Sequence, residues 1–499
     1  MKKTLVIVFA AIAAVATLIV SSRNTPSGAV PVPEKKVQYP FQLTFNPDVP
    51  KNLPEDADSV ALISFAWNEF FALNWKSTYN TITKERGYPD KKWSLSTNVP
   101  YPQEPVVWET YAHRTELRPY NDTMLAFDKI PKYVYQTTPV VRAGVDFTLF
   151  NNLDENNEIG SCDLYAKIIQ YGKQLQVLYQ AKVNRDEYMY LYNHYPDSNK
   201  LKKAINTTAA NIKQFSAYYS PTLYPSYGGT TCNCPPQANV VCLPCGGAKI
   251  PGTTRATYVG ALEVKTAWRE IFPEEAARYF VRKVITYEKS GNSTIVQNKY
   301  YGLIGIHIIR KMLNFPSFVF ATFEHVDVEV NDMGLVRLDT LPTPEQIPQR
   351  YKRAHPIPAV VDSSTAYAHR ELKKINPNSI WKYYRLVGVQ GNPTDDTKSF
   401  SYYLANYVIE SDPPLANFRG SSIKHPYDGG KNSLYKGQFY TMGGCQGCHG
   451  VTQLRGSDCS FVMGLVDQPH ATPDISRATD KLELYKQAFL SISGMGNKK

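Results

Sequence analysis

"YYGLIGIHIIRKMLNFPSFVFATFEHVDVEV", Tyr300 to Val330, is the stretch that decides how this chain is built. Two runs rich in Ile, Val, Phe and Tyr lie on either side of a connection at Lys311 to Pro316, and β-branched and aromatic runs bounded in this way predict two strands. His307 and His325 punctuate these apolar segments. A histidine in such a strand is commonly a hydrogen-bonded core or surface residue; two of them on neighbouring strands can also converge on a shared pocket.

Working outward, helical signals appear on both sides. "DADSVALISFAWNEFFALNW" offers Asp58 as a capping residue and places Ile63, Trp67, Phe70, Phe71 and Trp75 at helical spacing, which predicts a helix with a buried face. Further on, Arg114, Glu116 and Arg118 form a charge cluster beside Trp108, read as structural. Helices are also predicted over Leu164 to Asn193 and over Pro273 to Tyr287, where Glu274 and Glu275 favour a helix N-terminus. Strands and helices together define the α+β class.

With 499 residues, 43% apolar and 12% aromatic, the chain can bury a substantial core. Its 35 tyrosines, 35 prolines and 29 glycines point to loop-rich structure and exclude an all-helical bundle. The formal charge of +11 is spread without a dense Lys/Arg block, so no nucleic-acid partner is expected.

Lys2 and Lys3 followed by the apolar run Leu5 to Val20 read as an export signal. The run is shorter than the ~20 residues a bilayer span requires, so cleavage is expected and the mature chain is placed in the periplasm; an uncleaved N-terminal anchor is the one membrane link left open. The expected organisation is a signal peptide at 1–22, a proline-rich extended arm at 23–55, a large loop-rich α+β domain at 56–400 and a small C-terminal module at 401–499.

Within the large domain, "SYGGTTCNCPPQANVVCLPCGG" forms a cysteine-rich loop at 228–247 with Cys232, Cys234, Cys242 and Cys245. Export favours disulfides, because a small knob without a core needs covalent staples; a metal site is the alternative. Cys162 and Cys459 complete an even set outside the next motif.

That motif is "GGCQGCHG", Gly443 to Gly450. Cys445, Cys448 and His449 make C-x-x-C-H, the haem c attachment pattern: two thiols reach the vinyl groups on one porphyrin edge while the adjacent imidazole ligates iron. The competing structural reading is a disulfide with a neighbouring surface histidine.

The setting "GGCQGCHGVTQLRGSDCSF", with "FAWNEFFALNW", "GLIGIHIIRK", "FATFEHVD" and "LANYVIESDPPL", resembles bacterial cytochrome c family proteins, large exported chains with one haem motif near the C-terminus. The resemblance implies a small, mainly α-helical cytochrome c-like module at the C-terminus and one covalently attached haem. It carries over Cys445 and Cys448 as thioether donors and His449 as the proximal ligand. Cys459 departs from the pattern, standing where a bulky apolar residue is expected, and the Cys232 to Cys245 knob reads as an insertion.

The opposite iron face decides the chemistry. Met463 is the first candidate for the distal ligand, with the histidines His307, His325, His425 and His470 together as the other main source; Met442 and Met495 are further candidates. "RATDKLELYKQAFLSI" is expected to form a C-terminal helix over the haem edge. The first functional expectation is an electron-transfer protein serving a redox partner protein or a small electron donor or acceptor. The alternatives are a haem-dependent oxidoreductase of peroxidase or oxygenase type with an open distal site, and a surface ligand-binding protein with auxiliary haem.

Overall fold

Ile304, Ile306 and Ile308 alternate with Gly305, His307 and Ile309, and this period of two divides the interior into two different halves. The computed structural model describes residues 40–80, 82–135, 137–147, 150–155, 163–168, 173–215, 239–250, 252, 257–328, 333–338, 355–410, 433–435 and 438–463. Ten strands make one sheet: β1 (Ala112–His113), β2 (Val140–Val141), β3 (Asp163–Ile168), β4 (Lys173–Val183), β5 (Leu262–Glu270), β6 (Val281–Ser290), β7 (Ser293–Met312), β8 (Phe315–His325), β9 (Met333–Leu338) and β10 (Tyr384–Gln390). The strand order is β10-β8-β7-β5-β4-β3-β9, with β1 on β4 and with β2 and β6 on β7; only the β2–β7 pairing is parallel. A separate hairpin joins β11 (Ser433–Tyr435) to β12 (Gln438–Tyr440). The helices are α1 (Ser59–Leu73), α2 (Arg114–Leu117), α3 (Arg185–His194), α4 (Ser198–Phe215), α5 (Ala359–Ile375) and α6 (Gly444–Thr452). The class is α+β. Met1–Pro40 forms one unit and Phe41–Lys499 another.

One half of the interior is an aromatic layer. Asp58 accepts the Ala61 N–H at 2.8 Å and starts α1, and Asn74 ends it by donating its side-chain amide to the Phe70 carbonyl at 2.8 Å. Trp75 therefore lies beyond the helix. Phe70 stacks on Phe323 of β8 at 4.3 Å, and Trp67 meets the same ring edge-on at 5.0 Å while its indole donates to Ser364 of α5 at 3.0 Å. A charge pair on this side, Arg310 with Glu69 at 3.0 Å, is buried at both ends. The start of the described chain lies against α1, where the Gln42 N–H donates to the Ser64 hydroxyl at 3.1 Å and Phe45 meets Phe71 at 4.7 Å.

Two predicted helices are corrected. Of Leu164 to Asn193, the part from Arg185 onward is helical, while Leu164 to Ile168 lies in β3 and Lys173 to Val183 in β4, because Val177, Tyr179, Ala181 and Val183 recur at period two and β4 pairs with β5 along Val177 to Val183. Of Pro273 to Tyr287, only a single turn at Ala276–Arg278 is helical before β6 begins. Glu275 accepts the Phe272 N–H at 3.2 Å and the Arg269 guanidinium at 3.0 Å, which supports only this one turn, because the β-branched run that follows pairs with β7. Arg114, Glu116 and Arg118 likewise pair with other partners rather than with one another: Arg114 with Asp154 and Glu155, Glu116 with Arg86, and Arg118 with the Tyr195 carbonyl.

The other half is where β7 and its neighbours turn polar side chains. In register, Glu263 and Lys265 of β5, Gly305 and His307 of β7, and Thr322 and Glu324 of β8 share one face. His325 falls on the opposite face, so the two histidines sit on neighbouring strands without converging. Both ring nitrogens of His325 are also engaged, Nε2 with the Arg278 carbonyl at 2.8 Å and Nδ1 accepting the Asp327 N–H at 3.1 Å. Residues 402–410 cover this polar face. They approach closely because Gly305 and Gly388 have no side chain: a Cβ would come within 2.7 Å of Val408 and 2.6 Å of Leu404. Asn406 fastens the segment by donating to the Thr322 hydroxyl and the Phe323 carbonyl, both at 2.9 Å. Among the described residues no helix is long and apolar enough to cross a membrane. The expected signal peptide at 1–22 and the predicted helix Arg477 to Ile492 lie outside the described residues.

Candidate functional site

The helix α6 carries Cys445, Cys448 and His449, and one side chain from the sheet fixes its start. Gln390, the last residue of β10, donates its amide to the carbonyls of Ser401 (2.6 Å), Tyr402 (3.0 Å) and Gly443 (3.0 Å), and accepts the Gln446 N–H at 2.8 Å. The helix thus begins on a satisfied donor and acceptor instead of a conventional cap. Gly444 is obligatory at this junction: its φ is +66°, and a Cβ would meet Gln390 and the Leu404 backbone at 2.6 Å. Gln446 then reaches β8, donating to the Ser317 carbonyl at 3.3 Å.

Cys445 and Cys448 are buried, reduced thiols separated by about one helical turn. They are not joined to each other, so the reading as a disulfide with a neighbouring histidine does not describe this helix. His449 is half-buried between two rings, Phe320 at 4.9 Å and Phe461 at 4.8 Å. Its Nδ1 lies 2.6 Å from the Cys459 carbonyl oxygen. A carbonyl only accepts, so Nδ1 carries the proton and the lone pair resides on Nε2, which makes no hydrogen bond among the described residues. Burial pushes the imidazole pKa down to about 4, so the ring is neutral and in its ligating form at ordinary pH.

The Cys459 carbonyl reaches His449 because the chain reverses after α6. A wide turn at Gln453–Ser457 contains Gly456 at φ +91°, and Asp458 and Cys459 follow at φ +50° and +64°. Two successive non-glycine residues in the left-handed region need external support. Asp458 supplies it: its carboxylate accepts the Leu243 N–H at 2.6 Å and the Lys311 ammonium at 2.5 Å. Leu243 lies between Cys242 and Cys245, both disulfide-bonded, so the cysteine-rich loop braces the turn that orients His449. For these two residues the disulfide reading replaces the metal reading; Cys162, Cys232 and Cys234 lie outside the described residues.

The large sheet contributes further groups that the motif alone did not reveal. His307 Nε2 approaches Glu410 Oε1 at 3.4 Å, and these two with the Cys445 thiol form a buried trio whose donor atoms lie within 4.8 Å of one another. Burial, assisted by the nearby His449 and Lys265, pushes the His307 pKa down to about 3, and burial beside Glu410 pushes the Cys445 thiol well up. Glu410 was missed in the sequence; its only signal is a lone carboxylate closing the apolar run of "LANYVIE". Also missed were Glu187 of α3 and Glu263 of β5, two buried carboxyls that interact directly. Burial and mutual proximity push Glu187 well up, and burial pushes Glu263 up to about 7.

Of the distal candidates, Met463 is buried in the same apolar cluster as Cys445 and Cys459. Met442 is buried with its sulfur accepting the Thr394 N–H at 3.4 Å. His425, His470 and Met495 lie outside the described residues.

The donor set fits a covalently held haem: two buried thiols that are not cross-linked, and a neutral imidazole whose far nitrogen is freed by a backbone carbonyl on its near one. Fold and site together define an α+β chain in which a thiol–thiol–imidazole helix is clamped to a large antiparallel sheet. The chain matches no protein-family model, no curated protein and no solved structure.

Proposed function

We propose that the chain is an exported c-type cytochrome that binds one haem through Cys445 and Cys448, with His449 Nε2 as axial ligand, and passes single electrons to or from a redox partner. The observation that carries this reading is the 2.6 Å contact between His449 Nδ1 and the Cys459 carbonyl, which sets the tautomer and aims the ligating nitrogen away from the backbone. When bound, haem would supply a one-electron iron couple. The residues of the chain supply the rest: two sulfur atoms to retain the group, an anchored imidazole, and the apolar rings of Phe320 and Phe461 that restrict water around that imidazole.

A second reading, a haem-dependent oxidoreductase, draws on the His307–Glu410 pair, since an acid–base pair beside the attachment helix is more than an electron carrier requires. The attachment itself is tested by producing the full chain in a host competent in cytochrome maturation and weighing it after denaturation. Mass added by one haem, lost in the Cys445→Ala/Cys448→Ala variant, is the expected result; an unmodified chain overturns the reading.

A further inference from the structure

We propose that the haem-free chain holds a divalent transition-metal ion with the donor preferences of zinc at His307, Glu410 and Cys445, and that this ion and a thioether at Cys445 exclude each other. His307 comes from the sheet and Glu410 from the 402–410 segment, and only Cys445 belongs to the motif, so the proposal does not rest on haem ever being attached.

The geometry is close to what such an ion requires. Around a tetrahedral zinc with bonds of roughly 2.0 to 2.3 Å, nitrogen and oxygen donors sit about 3.3 Å apart and a sulfur donor slightly further. His307 Nε2 and Glu410 Oε1 already stand at 3.4 Å, and one donor atom from each of His307, Glu410 and Cys445 lies within 4.8 Å of the others, so an approach of the sulfur by about 1 Å completes the triangle. His307 is 5% exposed, and its Nε2 has no hydrogen-bond partner, so a buried nitrogen faces the carboxylate and the thiol without a satisfied bond. A metal ion would satisfy it. Glu410 is held from behind, its second oxygen accepting the Asn406 N–H, and Asn406 is itself fastened to Thr322 and Phe323.

The chemistry of the set is mixed: one thiol, one imidazole and one carboxylate, which suits zinc or cobalt(II) and not calcium or magnesium. Binding replaces the Cys445 thiol proton with a metal–sulfur bond, so one proton is released to solvent per ion and no oxidant or reductant is involved. Three protein donors leave the fourth position to water. A sulfur already bonded to a porphyrin vinyl group has no thiolate to offer, which is the basis of the mutual exclusion.

The test uses the full chain produced without cytochrome maturation, so its outcome is separate from the mass measurement on the matured chain. Cobalt(II) titration is expected to give a thiolate-to-cobalt charge-transfer band saturating at one equivalent and displaced by zinc. Affinity is expected to fall by about tenfold or more in His307→Ala and Glu410→Gln, with the band abolished in Cys445→Ser and retained in Cys448→Ser. X-ray absorption on the zinc-loaded, unmutated chain guards against variants that fail to fold: one sulfur and otherwise nitrogen or oxygen neighbours are expected. Two sulfur neighbours would assign the metal to the Cys445/Cys448 pair and overturn the proposal, as would absence of sulfur, or binding unaffected by loss of His307 and Glu410.

Discussion

The ammonium of Lys311 lies 2.5 Å from the carboxylate of Asp458, with the two side chains 1% and 4% exposed. A charge pair so fully removed from water is worth keeping only while both members are present, since breaking it strands one charge in the interior. Lys311→Met is therefore expected to destabilise the chain by about 3–5 kcal/mol, and Lys311→Met/Asp458→Asn to recover most of that, because asparagine still accepts the Leu243 N–H without carrying charge. Urea unfolding of the three chains measures this. Equal stability of the single and double variants would show that the pair does not brace the turn.

At the start of α6, Gly444→Ala meets two penalties at once: a left-handed φ and a Cβ forced to within 2.6 Å of Gln390 and Leu404. Gly291→Ala shares only the first, since its φ is +58° and nothing lies within 4 Å. The exposed-turn variant is expected to lose about 1 kcal/mol from backbone strain alone, and the Gly444 variant clearly more. In a maturation-competent host the Gly444 variant should also carry less haem per chain, read from the ratio of modified to unmodified mass.

The Glu187–Glu263 pair gives a pH dependence whose sign follows from its burial. Glu263 has an ordinary value of 4.5 and a folded value of about 7, so between those limits the folded chain holds a proton that the unfolded chain has released. Stability is then greatest at and below the lower limit with respect to this group and falls as pH rises towards 7, by an amount on the order of 3 kcal/mol. Glu263→Gln is expected to flatten this slope. Urea midpoints measured from pH 4.5 to 8 in both chains decide it, and a parallel pair of curves would refute the assignment.

Met463 sits in the apolar cluster with Cys445 and Cys459 and provides the test between carrier and enzyme. If its sulfur closes the iron's distal face, the haem-loaded, reduced chain binds carbon monoxide slowly, and Met463→Ala binds it rapidly with a lowered reduction potential. Rapid binding before the substitution would favour the oxidoreductase reading.

Parts of this molecule could be read from residues alone. Asp58 and the Trp67, Phe70 and Phe71 stripe marked α1 because capping and period are local properties. The hairpin of β7 and β8 was visible for the same reason, although its turn is tighter than the expected Lys311 to Pro316 connection, with β7 running to Met312 and β8 resuming at Phe315. The helix predicted over Leu164 to Asn193 failed because β4 owes its conformation to pairing with β5, more than seventy residues away.

The site divides in the same way. Cys445, Cys448 and His449 declare themselves by spacing. Glu410 does not, because its place beside His307 depends on Gly305 and Gly388 clearing space for a segment that has no periodicity of its own. Register also separated His325 from His307, which an inspection of neighbouring strands could not do without knowing that Thr322 is the residue opposite His307.

Gln390 ties the end of β10, the 401–402 backbone and the start of α6 into one knot, behind which Cys445 and Cys448 are only 5% and 6% exposed. Among the described residues, an enzyme that must touch both side chains finds them covered once that knot is tied. Under the proposed function, covalent modification there would precede that closure, which would make the lifetime of the half-folded polypeptide, rather than the affinity of the finished one, the quantity that governs how much of it is modified.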